Sequence, residues 1–107
     1  MRETFVSLQF KGTRPVAAVV WTGDFRKEEE TWLAECVELG TATYAASLDD
    51  ARERLVEAVL LQLGQVDSLG FLPGFLRDRG LQVLSISPPD TKTSGRGTSW
   101  RSPVPAV

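Results

Sequence analysis

Thr31 to Leu63, TWLAECVELGTATYAASLDDARERLVEAVLLQL, limits what this chain can fold into more than any other stretch. Trp32, Ala34 and Cys36 alternate with Leu33, Glu35 and Val37, the period-two pattern of a strand. Gly40 then admits a backbone angle that branched residues resist, so the chain can turn sharply into a second short strand, Thr41 to Ala45. Ser47 begins a helix: its hydroxyl can accept a first-turn N–H, and Asp49 and Asp50 favour the positive end of the helix dipole. From there Leu48, Ala51, Leu55, Ala58, Val59, Leu63 and Val66 recur at the helical period. Asp49, Asp50, Glu53, Arg54 and Glu57 lie mostly opposite. Each element has one apolar face to bury, so the unit predicts a helix packed on a sheet.

The flanking segments extend the sheet. Thr4, Val6, Leu8 and Phe10 alternate with Phe5, Ser7 and Gln9 up to a turn at Lys11 to Pro15. Val16 to Phe25 is rich in β-branched and aromatic residues and apolar on both faces, which predicts a central strand covered on both sides. Arg26 to Glu30 reads as a charged hairpin loop. Leu69 to Arg79, with Pro73 early and Gly80 behind it, predicts a short second helix, and Leu81 to Ser87 a last strand stopped by Pro88-Pro89. The fold class is therefore α+β: an antiparallel meander of three to four strands plus a C-terminal strand, packed against one long helix, with a short second helix. Residues 1–87 form the expected domain. Residues 88–107, rich in Ser, Thr, Gly and Pro without periodicity, read as a disordered tail.

Composition removes whole classes of chemistry. The 107 residues contain no histidine, which excludes His-dependent triads and most zinc and copper sites. Cys36 is the one cysteine, so no internal disulfide forms, as suits a reducing compartment. No apolar run approaches the roughly 18 residues of a membrane helix, and the first residues lack the apolar stretch of a secretory signal, so the cytoplasm is the expected location. Residues 1–87 hold 9 basic and 13 acidic groups, a balance that argues against gripping nucleic acid.

The remaining candidates read better as structure than as chemistry. Asp24, Glu35, Glu38, Asp49 and Asp50 are the carboxylates that a magnesium site would use, yet all but Glu35 have evident strand-end, turn or capping duties. Cys36 has acidic neighbours, Glu35 and Glu38, and no base to activate it. The glycines at 70 and 74 lack the Lys-Ser/Thr of a phosphate loop. No catalytic residue, metal or cofactor is expected. Partner binding falls instead to the acidic run Glu28, Glu29 and Glu30, and to Val56, Leu60 and Leu61, which widen the helix's apolar surface beyond one sheet contact. In the tail, Trp100 with Arg96 and Arg101 is the corresponding contact group.

The run Trp32-Leu33-Ala34-Glu35-Cys36-Val37-Glu38-Leu39-Gly40, then Ala42-Thr43, then Ser47-Leu48-Asp49-Asp50-Ala51 with Leu55, Glu57 and Ala58, resembles the HicB-like antitoxin family. A weaker likeness continues through Leu76 to Gly80, so that Val16 to about Leu84 is covered. The resemblance implies a reduced ribonuclease H-like sheet with one long helix and without catalytic carboxylates. It also implies a non-enzymatic protein that neutralises a small, basic, RNA-cleaving toxin of the HicA type. Val37 stands where proline is common in the family, and Tyr44-Ala45-Ala46 replaces a polar, glycine-containing stretch. Many members carry a separate DNA-binding domain; nothing after Pro89 has a helix-turn-helix or ribbon-helix-helix pattern, so direct nucleic-acid binding is not expected. The alternative is an orphan HicB-like module that forms a dimer or tetramer and has no toxin partner.

Overall fold

A computed structural model describes residues 1–68, 72–85 and 98–102. Residues 86 and 87 of the expected last strand, the Pro88-Pro89 stop, Arg96 and most of the 70–74 glycine segment's entry lie outside the described residues.

Strands β1 (Arg2–Lys11) and β2 (Arg14–Glu28) form a hairpin, with Gly12 in the left-handed region at φ 64°. β2 continues into β3 (Thr31–Cys36) and β4 (Ala42–Ala45), each antiparallel to the one before. The four form the expected meander. Helix α1 (Leu48–Ser68) and the short α2 (Leu72–Asp78) follow, and then β5 (Gln82–Ser85) pairs antiparallel with β2. A sixth strand, β6 (Thr98–Arg101), pairs antiparallel with β1. The class is α+β, with an antiparallel sheet, one long helix and one short one.

Three expectations change. β2 runs three residues past Phe25, because Arg26, Lys27 and Glu28 pair in register with Leu33, Trp32 and Thr31. Ladder hydrogen bonds need no apolar side chain, so the charged loop shrinks to a turn at Glu29 and Glu30, with Glu29 at φ 58°. Second, 98–102 do not belong to a disordered tail: β6 satisfies the free edge of β1, and the Ser102 hydroxyl lies 3.0 Å from that of Ser7. Edge pairing of this kind leaves no periodic trace in four residues. Third, β2 is covered by helix on one face only.

Both helices pack on that face. Val19, Trp21 and Phe25 of β2 are buried there with Ala34 and Cys36 of β3 and the α1 stripe Ala51, Leu55, Val59 and Leu63; Leu76 and Leu81 close the end. Phe5 stacks on Trp21 at 4.5 Å and tilts against Phe25 at 6.0 Å. Gly23 allows this, since a Cβ there would lie 2.8 Å from the Phe5 ring. The capping expected of Ser47 is present, its Oγ accepting from Asp50 N at 3.1 Å. Gly80, at φ 71°, ends α2, with Leu81 N donating to Leu76 O.

Candidate functional site

Asp24 faces the Met1 amino group at 3.7 Å and Arg26 at 4.0 Å. Asp49 accepts from Arg52, which also forks onto Glu3 at 2.6 and 3.0 Å and is held charged chiefly by that carboxylate. Glu38 has a duty the sequence did not reveal. β2 is flanked by β3 along 23–28 and by β5 along 17–20, which leaves Thr22 between partners. The Glu38 carboxylate accepts from Thr22 N at 2.8 Å and from its hydroxyl at 3.0 Å, while Val37 N donates to Thr22 O. One side chain thus bridges the handover from β3 to β5 and satisfies a backbone donor. Among the described residues no cluster of three His, Cys, Asp or Glu is placed to hold a metal.

Cys36 is fully buried, and burial pushes its thiol up to about 11, with Glu38 adding to the shift. At neutral pH it is a protonated, apolar group.

The partner-binding candidates separate into two places. Glu28, Glu29 and Glu30 are exposed at the β2–β3 tip, which projects beyond the last β3–β4 pair, Trp32 with Ala45. Val56 is half-buried and packs against the core, so it belongs to the sheet contact rather than to a free surface. Leu60 is half-buried and Leu61 is 65% exposed. These two, with Glu57, Gly64, Ser99 and Trp100, line an open groove of about 510 Å³ between α1 and β6. The sequence indicated Leu60, Leu61 and Trp100 separately; β6 brings them together. Trp100 Nε1 is buried in this region with no acceptor among the described residues.

Along α1 the exposed positions Asp50, Glu53, Glu57, Leu61 and Gln65 follow one another at spacings of three or four, which aligns them on one stripe. Asp50 and Leu61 are about 16 Å apart along the axis at the ordinary helical rise. Two cations flank the acidic half among the described residues: Arg52, held by Glu3 and Asp49, and Arg54, whose guanidinium donates to Tyr44 O at 3.2 Å. The outer side of α1 is thus acidic in its first half, with Leu61 the exposed apolar residue of its second half and Gln65 beyond it. Such a surface can steer a basic protein and then bury apolar contacts against it.

No protein-family model matches the chain, and no curated protein or solved structure matches it. No described helix is long and apolar enough to cross a membrane.

Proposed function

We propose that this chain is a non-enzymatic, HicB-like antitoxin of the cytoplasm that binds a small, basic, RNA-cleaving toxin and covers its active face. One observation carries the reading: the outer stripe of α1, acidic through Asp50, Glu53 and Glu57 and apolar at Leu61 beside Trp100. A cationic nuclease meets complementary charge there, and the groove supplies the desolvated contacts that slow dissociation. The residues carrying the family resemblance supply the frame, with Trp32 to Gly40 as β3 and its turn and Ser47 to Ala58 as the capped start of α1. The non-enzymatic part is supported by the carboxylates, mostly committed to structure, and by the un-ionised Cys36 thiol. Glu28 to Glu30 add to the long-range field at the tip and make a smaller contribution than α1.

Co-expression with the product of the adjacent short gene tests it. The expected result is co-purification and rescue of growth, both lost with Glu53→Lys/Glu57→Lys or with Leu61→Glu. Absence of a complex with any neighbouring short gene product overturns it. The second reading, an orphan homo-oligomeric module with no toxin, is favoured by the apolar residues on the opposite face of the sheet.

A further inference from the structure

β6 is held on by little, and one of its own atoms opposes the docking. It lies outermost in the sheet, paired with Leu8 to Lys11 of β1, and no described strand continues beyond it. Side chains add to that short ladder. The Ser102 hydroxyl meets that of Ser7, and Trp100 packs against the core beside α1. On the sheet's open side, which no described element covers, the Arg101 guanidinium lies 4.6 Å over the Phe10 ring.

β1 keeps its other partners without β6. Phe5, Ser7 and Gln9 point to the helix side, where Ser7 Oγ accepts from the Trp21 indole N–H at 2.8 Å and the Gln9 amide donates to Asp67 at 2.9 Å. Neither bond involves β6, so its departure strands neither side chain. The backbone groups it uncovers lie on a sheet edge, where water takes over. The tether is long enough as well. Between β5 and β6 stand the twelve residues 86–97, which can span up to about 40 Å, so β6 can leave while β5 stays paired with β2.

Trp100 holds β6 on and loosens it at once. Its ring is packed on the core, and its Cδ1 lies 3.9 Å from where a Cβ on Gly64 would stand, an ordinary contact with α1. The next ring atom, Nε1, is buried with no acceptor. A released indole donates to water, whereas the docked one donates to nothing. An unmet buried donor of this kind weakens docking roughly 5- to 150-fold. The same strand also builds the groove: Leu60, Leu61 and Gly64 line it from α1, and Ser99 and Trp100 from β6.

We infer that β6 is a strap that docks and releases as a unit while the rest of the fold stays intact, and that the groove on α1 exists only while the strap is docked. The unmet Trp100 N–H sets the balance between the two states. A ligand that touches both walls shifts the population toward docking, and its apparent affinity falls in proportion to the docked fraction. Strap opening is a property of the free chain and stands whether or not the groove receives a toxin.

Amide hydrogen exchange of the full free chain, followed by NMR, tests it. The amides of Thr98–Arg101 that donate to β1 are expected to be at least tenfold less protected than those within β2. Gly64→Ser sets a hydroxyl one bond beyond the Cβ position, within reach of Trp100 Nε1. Gly64→Ala adds the same Cβ and the better helix former but no acceptor. Gly64→Ser is therefore expected to raise β6 protection at least fivefold above that of Gly64→Ala. In a Trp100→Phe background, which has no N–H to satisfy, the two substitutions are expected to be equal. β6 amides as well protected as those of β2 overturn the strap, because β6 then opens only with the whole fold. Gly64→Ser no better than Gly64→Ala, or an advantage that survives Trp100→Phe, overturns the part assigned to the indole N–H.

Discussion

The two faces of the sheet are built from similar residues and obey different rules. On the helix side, burial is complete at Val19, Trp21, Cys36 and Leu55, and Ser7 is paired there with Trp21 and Ser102, while the Trp100 indole N–H has no acceptor among the described residues. On the open side, Val6, Val20 and Leu84 touch their neighbours but keep contact with water, and the Glu35 carboxylate has no partner among the described residues. The difference lies in what stands above each face. A side chain gains its full burial energy only when a second layer excludes water from it, and α1 supplies that layer once.

Substitutions on the two faces should therefore differ in size. Leu55→Ala, which opens a cavity beneath α1, is expected to lose about 2–5 kcal/mol in denaturant unfolding. An effect below 1 kcal/mol would mean that the covered face is loosely packed. Next is an alkaline instability. Because burial raises the folded Cys36 thiol from 9.0 to about 11, the unfolded chain ionises first as pH rises. The stability held below pH 9 is then lost between about 9 and 11, by up to about 2–3 kcal/mol at one pKa unit per 1.4 kcal/mol. Urea melts across that range should show wild type losing more stability than Cys36→Ala does.

Ser7→Ala comes third. It leaves the Trp21 indole N–H buried without its acceptor, at an expected loss of about 1–3 kcal/mol. Near-zero loss would show that another acceptor takes over. Smallest is Val6→Thr on the open face, expected to change the stability of the monomer by about 0.5 kcal/mol or less in melts at high dilution. A loss as large as that of Ser7→Ala would erase the distinction between the faces.

Much of this architecture was legible from local chemistry. The Ser47 cap, the Gly40 turn at φ 72°, the left-handed Gly80 and the stripe Ala51, Leu55, Val59 and Leu63 all rest on interactions within a few residues, and all are present. The acidic run Glu28 to Glu30 and the apolar surplus Leu60 and Leu61 were legible too, and both are exposed in whole or part. That Leu61 belongs with Trp100 and Glu57, and that Val56 belongs to the core, was not. Glu38 looked like a turn residue because its partner, Thr22, is sixteen positions away.

What the sequence determined by itself was the set of elements and their periods, because capping, turn angles and alternation are settled by neighbours along the chain. Alternation has a period but no sign: Thr4 to Phe10 states that Val6 and Ser7 face opposite ways, not which of them faces the helix. Only the tertiary structure decided that, by pairing Ser7 with Trp21 and by laying β6 along the open edge of β1. Those contacts join residues far apart in the chain, and no local pattern encodes them.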